Sequence, residues 1–316
     1  MRVIVSEGVY IDFYNLHADA GAVIYPKSNH SPINLLYRTD SGDEVARAAN
    51  LQQVADYVNT WSIGNSVIVF GDTNSRYTRL DDGITVFETQ NDLADALVQL
   101  ENRDANPTVE TICDNPSLIN ICETVDKILY RGSKQLTLEV TYFNYEPSKF
   151  LQSDGSILSD HNPITVNYTW TLSNSLSQSG YWGGPYGTWF NDLDSIPANP
   201  KASVLTFRGR SRLDSVGLTL TDGTTFTHGG TGGTVNALTL GSSEFWTQAE
   251  LCQGQKSGET RNFYILATTS TGRTLAPGTS TSDCAASSAP SGWQIVGFNG
   301  QHGDEMDQLS FIFAPQ

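Results

Sequence analysis

The chain has 316 residues and a mass of 34.4 kDa, long enough for two domains that each bury a core of their own. With 38% hydrophobic and only 16% charged residues, 28 glycines and 13 each of tyrosine and phenylalanine, it is neither disordered nor collagen-like and leans towards β-rich structure with many turns. Its 34 acidic against 18 basic side chains give a formal charge of -16, a field that repels a polyphosphate backbone and makes long nucleic acid a poor partner, and no run of about 18 apolar residues is present to span a membrane.

Residues 3–5 and 9–16 read as two strands joined at Ser6-Glu7-Gly8. Ser41-Gly42-Asp43-Glu44 then has the form of a capping box ahead of Leu51, Val54, Ala55, Val58 and Trp61 at helical spacing. A buried-type strand follows at 66–70, a second helix is expected through Leu93, Leu97 and Leu100, and strands near 124–130, 136–143 and 164–170 complete an α/β layered domain. Residues 171–180 are mostly Ser, Asn, Gln and Gly with almost no apolar periodicity, which reads as a linker. From Tyr181 the pattern becomes short Val, Leu, Phe and Thr alternations between glycine clusters, an all-β sandwich, barrel or prism.

The four cysteines fall as Cys113 with Cys122 and Cys252 with Cys284, without the short spacing of a zinc knuckle or redox motif. Disulfides within each half, formed in an oxidising compartment, are the expected reading, with free buried thiols the alternative. Sequons at Asn29-His30-Ser31 and Asn167-Tyr168-Thr169 fit secretion and add little, because the pattern arises often by chance. The opening residues lack the features of a signal peptide and read as the middle of a domain.

Chemistry concentrates in a few short stretches. Phe70-Gly71-Asp72-Thr73-Asn74 leaves the end of a strand with a carboxylate and a carboxamide two apart, able to face a hard metal or a phosphoryl oxygen, or simply to make a turn. Ser159-Asp160-His161-Asn162-Pro163 sets a carboxylate beside an imidazole, as a general-base or metal pair or as a polar loop. Asn15-Leu16-His17 ends the second strand with a histidine that has no assigned task when taken alone. Asp126, isolated in a strand-like run, is costly to bury without a partner, and a histidine is a natural one.

Taken in order, Asn-Leu-His, Gly-Asp-x-Asn after a strand, an Asp in a strand and Ser-Asp-His-x-Pro before a strand, residues 1–170 resemble the endonuclease/exonuclease/phosphatase superfamily. The resemblance implies an α/β sandwich that hydrolyses phosphoesters in line with a divalent metal, Mg2+ by expectation. It makes His161 the catalytic histidine and Asp126 its orienter. It sets Asp160 at the phosphate and metal, Asp72 and Asn74 on water, metal and phosphoryl oxygens, and His17 on the charged phosphate. In that family a metal-binding Glu on an early strand precedes the Asn-Leu-His motif. The resemblance therefore covers only the later part of the fold, and the expectation is a sandwich lacking its N-terminal half, with weak or no catalysis by this chain alone.

The second half has its own signature. Tyr181-Trp182-Gly183-Gly184-Pro185-Tyr186-Gly187, His228-Gly229-Gly230-Thr231-Gly232-Gly233 and the run from Ile295 to Leu309 resemble the jacalin-related lectins over 181–316. That implies a β-prism of three Greek-key sheets with a mannose- or galactose-type sugar between a Gly-rich loop, Gly183 and Gly184, and the Gly-x-x-x-Asp loop of Gly303, Asp304, Glu305, Met306 and Asp307. Glycines let backbone N–H groups approach a sugar, and the Asp307 carboxylate is expected to accept from two hydroxyls while supporting no core; a tight turn with a solvated Asp is the bland alternative. Together these readings predict a secreted, metal-dependent phosphoester hydrolase acting on a small phosphorylated substrate or phospholipid head group and targeted to glycans by its lectin. A lectin with a non-catalytic hydrolase remnant is the alternative, and a secreted nuclease is disfavoured by the acidic charge.

Overall fold

The structure, a computed structural model, describes residues 1–20, 41–102 and 105–316, and the sequon at Asn29 lies outside them. The first region runs β1 (Arg2–Ser6), β2 (Val9–His17), α1 (Ser41–Trp61), β3 (Ser66–Asp72), α2 (Val86–Asn91), β4 (Ala94–Asp95), β5 (Asp126–Arg131), β6 (Leu136–Tyr145) and β7 (Ile164–Leu172). Its main sheet has the order β1-β2-β3-β5-β4, and β6 and β7 form a separate two-stranded sheet. Among the described residues only β2 and β3 pair in parallel, so the chain must cross over between them, and α1 lies on that crossover. Leu51, Ala55 and Val58, spaced by four and three along α1, bury completely against Val67 and Val69 of β3 and Leu129 of β5. Ile68, between those two valines, points to the other face and joins Val9, Ile11 and the β6 residues Leu136, Leu138 and Val140. The main sheet is thus the middle layer between α1 and the β6–β7 pair, the α/β layering expected from the sequence.

The helix expected through Leu93, Leu97 and Leu100 does not form as one element. Asp92 takes a left-handed conformation (φ 58°) that ends α2, and Ala94–Asp95 pairs with the edge of β5. The Asp95 carboxylate then accepts the Leu97 N–H at 2.8 Å, and only Val98–Asn102 coils again, as a π-helical turn. The leucine spacing was helical, but the open edge of β5 and the Asp95 side chain offered the backbone other partners.

The second region comprises β8 (Ser177–Gln178), β9 (Trp182–Gly183), β10 (Thr188–Asn191), β11 (Ala202–Gly209), β12 (Leu213–Leu220), β13 (Thr225–Gly229) and β14 (Thr234–Thr239). It continues with β15 (Trp246–Lys256), β16 (Glu259–Thr269), β17 (Thr274–Leu275), β18 (Cys284–Ser288), β19 (Trp293–His302) and β20 (Met306–Pro315). Two sheets have the orders β13-β12-β11-β14 and β17-β16-β15-β18, in each of which the fourth strand returns beside the first, a Greek key. The third, β10-β19-β20-β8 with β9 also on β20, joins both ends of the region and closes the prism. Trp246, Phe207, Phe298 and Phe311, all fully buried, bring the three sheets onto one core.

Part of the stretch read as linker belongs to this prism. Ser177 and Gln178 pair with β20, and Leu176 enters the prism core. The apolar alternation is missing there because polar partners replace it: Gln178 bonds the buried Asn299 and Gln135, and Ser179 bonds Ser310. All four cysteines are paired as expected, Cys113 with Cys122 and Cys252 with Cys284.

The two regions meet at the end of the main sheet where β2 begins. The turn at Gly8 (φ +69°) lies so close to Gln178 that a Cβ would sit 2.0 Å from its carbonyl oxygen, which only glycine permits. Lys134 donates to the Asp194 carbonyl at 2.6 Å, and Asn191 donates to Asn65 at 3.2 Å. The Arg2 guanidinium lies 3.8 Å over the Trp189 ring.

Candidate functional site

The far end of the same sheet gathers the polar residues. Parallel pairing sets His17, the last residue of β2, opposite Asp72, the last residue of β3, and antiparallel pairing sets Asp72 opposite Asp126, the first residue of β5. At roughly 3.3 Å per residue along β2, this end is about 25 Å from the turn that touches the prism. His161 arrives from the loop before β7 and places Nδ1 2.7 Å from Asp126 Oδ2. Its other nitrogen, Nε2, lies 3.6 Å from Asp72 Oδ2, and His17 Nε2 lies 3.5 Å from the same oxygen, both too long for tight hydrogen bonds. Asp72 Oδ1 accepts the Asn74 N–H at 2.8 Å, a contact that holds Asn74 at φ 49°, and the Asn74 amide donates to the Ala18 carbonyl at 2.9 Å. The hydrogen bond to Asp126 holds the His161 imidazole above its ordinary pKa, against the opposing effect of partial burial.

Ligand atoms of Asp72, Asp126 and His161 all lie within 4.8 Å of one another. Asp160, read as a metal and phosphate residue, is exposed on the loop and is not one of that trio. A cleft of about 210 Å³ opens beside it, lined by Asp126, Asp160, His161 and, from the loop after β3, Arg76. Arg76 supplies a cation to this cleft and the sequence reading missed it; its position four residues after Asp72 was the available signal. It is held by Glu110 at 3.1 Å and by the Glu123 carbonyl. Glu250 also lies near two cysteine sulfurs, but Cys252 and Cys284 are spent on a disulfide and offer no thiolate to a metal.

In the prism the Gly-rich segment and the Gly-x-x-x-Asp loop are adjacent. The Gly184 N–H donates to the Asp307 carbonyl at 2.9 Å, the Gly183 N–H to Gln253 Oε1 at 3.0 Å, and the Gly303 N–H to the Glu305 carbonyl at 3.0 Å. Gly303 and Asp304 are exposed, whereas Met306 is fully buried in the prism core. Asp307 departs from the expectation of a loop-end carboxylate that supports no core. It is 1% exposed, and its Oδ1 receives Arg261 Nη1 at 2.5 Å. Burial nevertheless pushes its carboxyl up to about 6, with Arg261 pulling the other way. Its neighbour Glu305 behaves oppositely, held down to about 2 chiefly by its hydrogen bond from Arg212, with Lys256 assisting. Gly187 (φ +78°), part of the Gly-rich signature but not among the expected sugar contacts, faces the carboxylate: a Cβ there would lie 2.7 Å from Asp307 Oδ2. Arg261, on β16, had no sequence signal, because β16 meets the loop only through prism closure.

Comparison with known proteins agrees with this division. Residues 1–167 match the Endonuclease/Exonuclease/phosphatase family 2 model, and residues 179–312 match the jacalin-like lectin domain model. Sphingomyelinases of Mycobacterium tuberculosis and Mycobacterium bovis are each 35% identical over 167 residues, 53% of this chain and 29% of theirs. The chain thus spans less than a third of the curated relatives it matches. A mannose binding jacalin related lectin from Ananas comosus aligns with 22% identity and a TM-score of 0.39, over 45% of this chain and 99% of its own. The artocarpin-mannotriose complex aligns with 18% identity and a TM-score of 0.40 over the same shares. The chain belongs to the endonuclease/exonuclease/phosphatase family through residues 1–167 and carries a jacalin-like lectin domain at 179–312.

Proposed function

We propose that residues 1–167 hydrolyse a phosphoester and that the prism holds the protein at glycans. The observation that carries the hydrolytic reading is the 2.7 Å contact between His161 Nδ1 and Asp126, which fixes the imidazole with Nε2 turned towards Asp72. In this reading His161 exchanges a proton at Nε2, Asp126 orients the ring, and His17 and Arg76 meet negative charge on the phosphoryl group. Members of the family generally use a divalent metal. The donor set fits one: among the described residues Asp72 Oδ2 has two imidazoles beside it, both loosely placed, and carboxylate oxygen suits a hard cation. Asp72, with Asn74 beside it, would hold the ion, Mg2+ by our reading, and the ion would supply charge neutralisation at the transferring phosphoryl group; Asp160, outside the cluster, would face the phosphate from the cleft.

A phospholipid head group is favoured over a nucleic acid by the apolar rim around the cleft. Leu118 and Ile121 stand exposed on the loop closed by Cys113–Cys122, Ile112 immediately before it, and Phe150 and Leu158 on the segment leading to His161. The two segments are tied together by Asn115 to the Ser159 carbonyl at 2.9 Å and Asn162 to the Asp114 carbonyl at 3.0 Å. The two disulfides support an oxidising, extracellular setting, and no helix among the described residues is long and apolar enough to cross a membrane.

The test is hydrolysis of bis-p-nitrophenyl phosphate and of sphingomyelin vesicles by the chain, with Mg2+ and with chelator. We expect slow, chelator-sensitive turnover that His161→Ala lowers by about 100-fold or more; turnover equal in the two proteins sinks the reading. The absence of Asp160 from the cluster of ligand atoms favours a second reading, a lectin with a non-catalytic hydrolase remnant, which total inactivity with retained glycan binding would support.

A further inference from the structure

Between the two regions lies a cleft of about 750 Å³ whose walls come mainly from strands and a helix. On the hydrolase side, Tyr10, Asp12 and Tyr14 alternate along β2 and so share one face, with Arg2 registered opposite Asp12. Tyr57 and Trp61, one turn apart on α1, extend that wall, with Tyr57 edge-on to Tyr14 at 5.9 Å and Trp61 5.8 Å from Tyr57. On the prism side, Trp189, Gln301 and Gln308 are successive register partners across β10, β19 and β20 and form a transverse row. Pro185, between Gly184 and Gly187, brings the lectin's Gly-rich segment to the rim of the same cleft.

The charges in the cleft narrow the ligand class. Arg2 is saturated by both oxygens of Asp12, at 2.7 and 2.9 Å, and by the Trp61 carbonyl at 3.0 Å, so it does not recruit an anion. The remaining charged side chain on the lining is Glu7, which repels one. What the walls offer is flat aromatic surface next to amide and carboxylate groups. Those are the two surfaces a pyranose needs, a C–H face to lie on a ring and hydroxyls to pair with planar polar groups. The volume suits a few linked rings rather than one.

We propose that this interdomain cleft is an oligosaccharide-binding site, distinct from the Asp307 loop and built jointly by the two regions. Sugar rings lie on Tyr57 and Trp61, and the Gln301 and Gln308 amides with Glu7 take the hydroxyls. The site requires the two regions in their observed arrangement, so neither half alone carries it.

Two of the six tryptophans, Trp61 and Trp189, line the cleft and report on it. The whole chain is titrated with mannotriose, raffinose and the matching monosaccharides, following tryptophan emission and heat. One of the trisaccharides is expected to bind about tenfold tighter than its monosaccharide, with an emission change that Trp61→Phe removes. Tyr57→Ala and Gln308→Ala should each erase the tenfold gain at unchanged melting temperature, while Asp307→Asn leaves it. A gain that survives both cleft variants, or is lost only with Asp307→Asn, overturns the proposal, and the latter result supports the loop reading instead. No binding of any saccharide also overturns it.

Discussion

The prism and the hydrolase region handle their apolar surface differently. In the prism, every sheet is closed onto one core, so Trp246, Phe207, Phe298 and Phe311 are buried completely. In the first region the apolar residues divide into two clusters on opposite faces of one sheet, and β7, paired only to β6, leaves Trp170 46% and Leu172 48% exposed. The motif carboxylates follow suit: Asp72 has loosely placed imidazoles beside its Oδ2 at the open end of its sheet, whereas Asp307 is enclosed and ion-paired. A closed core makes its polar motif part of the scaffold, and an open layer leaves its motif free for chemistry.

The largest test of this contrast is in the two cores. Trp246→Ala should cost about 3–5 kcal/mol, and Trp170→Ala less than about 1 kcal/mol, both read from denaturant midpoints at constant m-value. Equal losses would show that β7 is covered in solution. Next come the motif carboxylates. Asp307→Ala leaves the Arg261 guanidinium with Glu259 as its remaining carboxylate partner and should destabilise by about 1–3 kcal/mol, whereas Asp72→Ala should change stability by less than about 1 kcal/mol while removing metal-dependent turnover. An Asp307→Ala protein as stable as the parent would return that residue to the status of a free loop carboxylate.

Coupling between the regions is a smaller effect. Arg2→Ala removes the stacking on Trp189 and the pair with Asp12 and should lower stability by about 1–2 kcal/mol. In calorimetry the transition should broaden or split in two; an unchanged single transition would show that Arg2 does not join them.

The smallest effect is the pH response within one loop. Asp307 is raised from 3.8 to about 6, so its contribution to stability is fully present below its unfolded value and is lost as pH rises through about 6. Glu305 is lowered from 4.5 to about 2, so its contribution is present above its unfolded value and is lost as pH falls through about 2. Melting temperature against pH should therefore flatten near pH 6 in Asp307→Asn and below pH 4.5 in Glu305→Gln, and parallel curves in both variants would refute the assignment.

Where a residue's role depends on its own stretch of chain, the sequence sufficed. The continuous buried run of β3, the helical spacing of Leu51, Ala55 and Val58, the glycine turns of the prism and the division into an α/β and an all-β part are local patterns, and the structure has them. The stretch at Leu93 was misread because its outcome hung on the free edge of β5, and the stretch at Gln178 because buried side-chain pairs replaced apolar alternation. Of the site groups, sequence order gave the residues but not their distances. Strand register alone sets His17, Asp72 and Asp126 in a row, and the loop before β7 alone brings His161 within 2.7 Å of Asp126. Arg261 on Asp307, and Arg2 between Asp12 and Trp189, join residues 46 and 187 positions apart, which no local pattern encodes. Sequence thus determined which elements form and which chemical groups they carry, because propensity and periodicity act over a few residues; tertiary closure decided which groups meet, because burial and ion pairing act between strands that are distant in the chain.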